Sequence, residues 1–267
     1  MSEQMTFSSN ITQTQIETPK SAQGLYELPC GYIDPSGVLH VEVHLREMTG
    51  REEDLLASAK VSAQKKVNAL LVACTERIGN ISDKGQIQNI IPLLTQGDRV
   101  FMLVALRRTT LGDELPLEEE CPSCNVKSNY IADLGTLERK PMADPMRRVF
   151  DMTLPSGKTV RYRVGNGLDE ERVLKVPDEE KPSMIFLSRT ELLNGKPPTM
   201  MDIKNLGWKD RQALRAAFEN IEGGLDSKLE LACPACGHEF DRDLDLGAQG
   251  FFFPGRVQNA LKRKSSS

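Results

Sequence analysis

Four of the six cysteines stand in two matching pairs, Cys121-Pro122-Ser123-Cys124 and Cys233-Pro234-Ala235-Cys236. A Cys-x-x-Cys spacing puts two thiolates on one tight turn, where both can face a single ion. The proline after the first cysteine stiffens that turn. The residue after the second cysteine sits where the chain needs a positive φ. Gly237 takes it without strain, and Asn125 is the next most tolerant residue type. One pair offers two ligands, whereas a closed structural zinc site takes four. The two pairs are therefore read as one four-thiolate metal site formed by Cys121, Cys124, Cys233 and Cys236. Zinc suits a tetrahedral sulfur set and needs no redox support; an iron–sulfur cluster also uses four thiolates and stays open. Empty knuckles and local disulfides stay open as well. A thioredoxin-like redox role is disfavoured, because neither pair stands at a strand-to-helix junction and the flanking acids do not lower a thiol pKa. His238 reads as an exposed hairpin residue or a support for the ligands, Cys30 as a loop thiol, and Cys74 as a small buried hydrophobe.

Alternating apolar residues must position these turns. Leu115 and Leu117 lead into the first, and Val126 and Tyr130 lead out; Leu229 and Leu231 lead into the second, and Phe240 leads out. Both read as hairpins of zinc-knuckle type. The resemblance between them extends beyond the cysteines. At the offset that carries Cys121 onto Cys233, Asp98-Arg99 falls on Asp210-Arg211, Gly112 on Gly224, Leu117 on Leu229, and Asp133-Leu134-Gly135 on Asp245-Leu246-Gly247. Further upstream, Pro35-Ser36-Gly37 and Pro155-Ser156-Gly157 each open an alternating strand, and acidic clusters follow at Glu52-Glu53-Asp54 and Asp169-Glu170-Glu171, as suits a first helical turn.

The chain thus reads as an α+β protein with two tandem copies of a strand–helices–knuckle hairpin unit. An N-terminal arm spans 1–24, the first repeat 25–137, a linker 138–149, the second repeat 150–254, and a basic tail 255–267. A helix is expected from a Thr95/Asp98 capping box to Gly112, and its counterpart from Asp210 to Phe218.

Composition narrows the role. The chain has 267 residues, 39% hydrophobic and 27% charged, enough for two ordinary domains. A net charge of -4 provides no general field for a phosphate backbone, and 5% aromatic residues argue against a base-stacking platform. No stretch has the length and apolarity of a membrane helix, and the polar N-terminus does not read as a signal peptide. Cysteine pairs without an export signal fit a reducing cytoplasm. Phosphate loop, nucleophile elbow and His-Glu-x-x-His motifs are missing from the sequence, so it reads as a non-enzyme. His40 and His44 read as edge-strand polar residues and Glu118-Glu119-Glu120 as solvated surface. Arg107-Arg108 suit either an acidic partner or a helix C-terminus. Phe251-Phe252-Phe253 cannot all face one core from a strand. With Arg256 and the basic segment that follows, they are candidate partner-binding residues.

The order of short motifs resembles a known family. Leu28-Pro29-Cys30-Gly31 opens the chain, an Asp-Arg-x-x-x-x-x-x-Leu-Arg helix runs from Asp98 to Arg107, a Gly112-Asp113-Glu114 turn follows, and a Cys-Pro-x-Cys knuckle ends in Asp-Leu. This is similar to the baseplate hub proteins of contractile-tailed bacteriophages, the T-even hub assembly protein family. Asn125 replaces a glycine, and the second copy has Gly224-Leu225-Asp226 in place of the Gly-Asp-Glu turn. The resemblance implies a virion assembly protein beside hub, tube or wedge components, made in the host cytoplasm and located in the tail baseplate. A zinc-ribbon adaptor in nucleic-acid processing is the alternative.

Overall fold

The computed structural model of the protein describes residues 24–58, 63–246 and 249–252. Its first part begins with a hairpin of β1 (Leu25–Ile33) and β2 (Leu39–Leu45). Asp34 closes the turn by accepting from the backbone of Ser36 and Val38, and Gly37 takes a φ of 86° there. Helix α1 (Gly50–Ala57) opens with a Thr49/Glu52 capping box, α2 (Ala63–Cys74) follows, and β3 (Thr75–Ile78) returns to pair with β2. Asp83 caps α3 (Lys84–Ile90), and a 3₁₀ turn leads to the long α4 (Gln96–Leu111), which ends at Gly112 with φ 83°. Then come the hairpin of β4 (Glu114–Glu120) and β5 (Lys127–Asp133) and a short β6 (Arg139–Lys140).

The second part also begins with a strand hairpin, two helices, a third strand and two further helices. Strands β7 (Val149–Thr153) and β8 (Thr159–Arg163) form a hairpin, and α5 (Gly167–Leu174) opens with an Asn166/Asp169 capping box. Helix α6 (Lys181–Arg189), β9 (Thr190–Leu193), α7 (Met200–Lys204) and α8 (Trp208–Ile221) come next. The chain continues through β10 (Gly224–Leu225) and the hairpin of β11 (Lys228–Ala232) and β12 (Glu239–Asp243) to α9 (Gln249–Phe252). The architecture is α+β. Two antiparallel three-stranded sheets have the orders β1-β2-β3 and β7-β8-β9, and each knuckle sits on a separate two-stranded ladder.

Among the described residues, three larger apolar clusters and a small one of Cys30, Met142 and Val164 hold these parts. Leu28, Val43 and Leu45 of the first sheet pack on Leu70, Leu71 and Cys74 of α2 and on Met102 and Leu106 of α4. Val160 and Tyr162 of the second sheet pack on Phe186, Leu214 and Phe218. Between the knuckle hairpins lie Leu115, Tyr130, Ala132, Leu229 and Leu231, joined by Val104 and Phe251.

Helix α4 organises the first part through polar residues at both ends. Thr95 caps it by accepting from the Asp98 N–H. The Asp98 carboxylate accepts the Thr95 hydroxyl (2.9 Å) and crosses to β1, where it also accepts the N–H groups of Cys30 (2.7 Å) and Gly31 (3.3 Å). Asp98 thus serves to dock the helix on the strand. At the other end, buried Arg107 donates to the carbonyls of Gly112, Glu114 and Phe251. This makes it an internal clamp, buried away from any acidic partner. Its neighbour Arg108 pairs with Asp113.

Several expectations need correction. Cys30 lies buried in β1, because the ladder irregularity between Glu27 and Tyr32 lets the strand run past Pro29. Its thiol is pushed up to about 11, first by burial and then by the Asp98 charge. His40 and His44 lie on a central strand, since β3 covers the far side of β2; they bond Asp34 (3.0 Å) and Glu76 (2.9 Å). Phe251 and Phe252 end a short helix instead of a strand. Within the 138–149 stretch read as a linker, β6 pairs with β10, and Met142 is buried with its N–H on the Pro29 carbonyl.

Candidate metal centre

Each knuckle is built by its own hairpin. The Cys121 N–H bonds the Val126 carbonyl and the Asn125 N–H returns to the Cys121 carbonyl; in the second knuckle Cys233 and His238, and Gly237 and Cys233, repeat the pattern. Asn125 has φ 59° and Gly237 φ 71°, so the left-handed residue stands where the sequence places it in both turns. Leu115, Tyr130, Leu229 and Leu231 press the hairpins together, and Tyr130 meets Phe240 edge to face at 5.8 Å. Arg242 of β12 binds Glu119 of β4 at 3.0 Å and donates to the Glu120 carbonyl. Glu119, expected at the solvated surface, is half-buried in this contact.

The packing brings the four knuckle sulfurs together. Cys121 Sγ lies 3.8 Å from Cys236 Sγ, and Cys124 Sγ lies 3.7 Å from Cys233 Sγ. All four are within 4.8 Å of one another. The short contacts are crossed: the first cysteine of each hairpin faces the second of the other. These distances are well beyond the ~2.05 Å of a disulfide, and all six cysteines are free thiols. Four thiolates around one zinc at about 2.3 Å define tetrahedron edges of roughly 3.8 Å, so the donor set and its spacing fit such an ion. Cys121 and Cys233 are buried, Cys124 is half-buried and Cys236 is exposed.

Four thiols this close do not ionise independently. At Cys233, burial opposes ionisation, but the backbone groups of Cys236 and Ala235 and the facing thiols of Cys121 and Cys236 outweigh it and hold the thiol down to about 6. At Cys124, the Val126 backbone favours the thiolate, but burial and the three facing cysteines push it up to about 12. The cluster gives up one proton readily and resists losing the next, and a cation at its centre removes that resistance. His238 is exposed, stacks on Phe240 and contributes its carbonyl to the turn.

The other sequence candidates are dispersed. Phe251 is buried among the hairpins and Phe252 is half-buried, while Phe253 and Arg256 lie outside the described residues, as do the 255–267 tail and residues 1–23 of the N-terminal arm. An apolar cavity of about 570 Å³, lined in part by Leu103, Leu174, Ile185 and Phe252, lies between the two parts of the chain. Among its charged walls, Arg99 pairs with Glu170 and Arg189 with Glu222.

Residues 25–148 match the model of the family described as T4 bacteriophage base plate protein. Over that segment the chain is similar to this family, and the match supports a phage base plate protein. A base plate protein works in the virion tail among other base plate components. No curated protein and no solved structure gives a significant match. Among the described residues, no helix is long and apolar enough to cross a membrane. The matched segment contains Cys121 and Cys124 but ends before Cys233 and Cys236, so half of the sulfur cluster comes from outside it. Three of the four short motifs that carry the resemblance touch one another through α4: Asp98 holds Leu28-Pro29-Cys30-Gly31 at one end, and Arg107 grips Gly112 and Glu114 at the other.

Proposed function

We propose that the chain is a structural or assembly component of the hub region of a contractile tail's baseplate, with two duplicated halves clamped by one zinc ion on Cys121, Cys124, Cys233 and Cys236. The observation that carries the clamp is the mutual approach of the four sulfurs, two from each hairpin. The duplication, with repeats at 25–137 and 150–254, is supported by the repeated element order and by the offset that carries Cys121-Pro122 onto Cys233-Pro234. The hub placement rests on the motif resemblance around α4. Zinc is favoured over an iron–sulfur cluster because edges near 3.8 Å suit four thiolates on one ion, whereas a cluster spreads its thiolates over several irons. We read the role as structural, with partner contact falling on Phe252, Phe253 and Arg256 and Phe251 committed to the core. The outer faces of the hairpins speak against the nucleic-acid adaptor. They expose Glu118, Glu120, Glu230, Glu239 and Asp241, and Glu230 stands directly opposite Asp241, so a phosphate backbone would be repelled.

Elemental analysis of freshly reduced, purified protein tests the clamp. About one zinc per chain is expected. Absence of metal overturns the clamp, iron with a visible charge-transfer spectrum replaces zinc by a cluster, and one metal per two chains moves the site between subunits. Co-purification with assembled tail particles tests the placement independently.

A further inference from the structure

The apolar cavity of about 570 Å³ has walls from both parts of the chain. Val67 of α2 and Val100 and Leu103 of α4 line it from the first part, and Leu174 of α5 and Ile185 of α6 from the second. Leu174 is 55% and Ile185 43% exposed, so among the described residues the second wall stands uncovered. A groove between two pairs of helices, apolar on both sides, has the form that takes one further amphipathic helix. Two buried arginines belong to the same lining. Arg99 pairs with Glu170 and Arg189 with Glu222, yet Arg99 Nε and Arg189 Nη2 are buried without an acceptor. An occupant made only of hydrocarbon leaves such donors unmatched, whereas a peptide segment brings carbonyl oxygens.

The chain's own continuation starts at this cavity. Arg107 holds the Phe251 carbonyl at 3.0 Å, and Phe252, the last described residue, is itself part of the lining. Residues 253–267 follow it in sequence. They carry Phe253, Val257, Ala260 and Leu261, a spacing that puts apolar side chains on one face of a helix, with Gln258, Asn259 and Lys262 on the other. Pro254 suits a first helical turn. A segment tethered at the rim meets the groove at a high effective concentration, an advantage that a free partner or a second copy lacks.

We propose that residues 253–261 fill this cavity as a short amphipathic helix, with Phe253, Val257 and Leu261 set against Leu103, Leu174 and Ile185. The C-terminal segment then joins the two parts of the chain at a place separate from the four cysteines. This goes beyond the structural reading above and does not depend on the metal. With the segment seated, Arg256 and the basic residues after Leu261 stay outside for partner contact, and contact at Phe253 requires the segment to leave the cavity.

Methyl–methyl nuclear Overhauser effects in the full chain test the seat directly. Contacts from Val257 and Leu261 to Leu103, Leu174 and Ile185 are expected, in a sample that light scattering finds monomeric. Two full-chain variants add a second readout. The double variant Val257→Asp/Leu261→Asp should bind an apolar fluorescent dye several-fold more strongly than wild type and melt about 5 °C lower, with unchanged zinc content. Gln258→Asp, on the opposite face, should match wild type. Absence of the methyl contacts overturns the proposal, as does a double variant that matches wild type in both dye binding and melting. Contacts that appear only in a dimer also overturn it, since they make a second copy the occupant. Should the double variant not fold, the wild-type contacts alone decide. Wild-type protein free of zinc would sink the metal clamp and leave this test intact.

Discussion

At the scale of single residues, the cysteine pairs show which chemistry can be read locally. Each knuckle is a contiguous turn, so its requirements are fixed by neighbours in sequence: two thiols three positions apart, a stiffening proline, and a residue tolerant of positive φ. Asn125 and Gly237 meet that last requirement at φ 59° and 71°. Tyr130 was legible only as an apolar strand residue, because its burial comes from packing between two hairpins distant in sequence. Cys30 was misread for a related reason. Pro29 and Gly31 beside it resemble a loop, and only the bulge in the β1–β2 ladder shows that a strand continues there. If one ion unites the pairs, Cys121→Ser and Cys233→Ser should each abolish stoichiometric zinc binding and lower the Tm. The double variant should be little worse than either single one, because metal binding is one shared contribution to folding. Zinc content and a double-mutant cycle of thermal stability check this; additive losses would indicate two independent sites.

At the scale of elements, the helix starts were readable and their tertiary uses were not. Acidic clusters mark α1 and α5, and both begin with capping boxes. The Thr95-to-Asp98 signal marks α4 correctly, yet the carboxylate is directed at β1, where a distant strand offers two N–H groups. That docking has a pH signature. Burial, the largest influence, pushes Asp98 up to about 6 despite the N–H of Cys30, the Thr95 hydroxyl and the N–H of Gly31. In the unfolded chain the group titrates near its ordinary value of about 3.9. Between about pH 4 and pH 6 the folded protein therefore holds a proton that the unfolded chain releases, and stability from this group falls as pH rises through that window. The expected difference is at most about 3 kcal/mol across the window, constant above it. Glu52 acts in the opposite sense: chiefly through Arg46 it is held down to about 2, and its contribution is lost as pH falls toward that value. Urea denaturation of Asp98→Asn and wild type at pH 4, 5, 6 and 7 isolates the aspartate. Wild type should lose stability relative to the variant on going from pH 4 to pH 6, and parallel profiles would refute the assignment.

At the scale of the whole molecule, the offset between matching residues indicates two parts but not how they meet. The offset aligns Gly112 with Gly224, yet the two glycines do different work: Gly112 ends α4 with a positive φ, while Gly224 lies in β10 against the start of the same helix. At that seam the chain is packed backbone to backbone. A Cβ on Gly97 would fall 2.0 Å from the Gly223 carbonyl oxygen and 2.9 Å from the Gly224 Cα, and a Cβ on Gly223 would fall 2.7 Å from the Met142 nitrogen. None of these neighbours is a flexible side chain that can swing aside, so the two parts of the chain must separate to admit a methyl group. The seam also leads directly into the knuckle, since only Asp226 and Ser227 lie between β10 and β11, the strand that runs into Cys233. Gly97→Ala should therefore lower stability by about 1–3 kcal/mol through overpacking, despite the better intrinsic helix propensity of alanine. It should also weaken zinc binding, because displacing β10 moves two of the four sulfurs relative to the other pair. Gly50→Ala is the matched control: it too lies in the first turn of a helix, but a Cβ there meets nothing within 4 Å. That substitution should be neutral or slightly stabilising and leave zinc binding unchanged. Thermal unfolding and chelator competition on both variants decide the matter, for if Gly97→Ala behaves like Gly50→Ala, the seam does not set the distance between the hairpins.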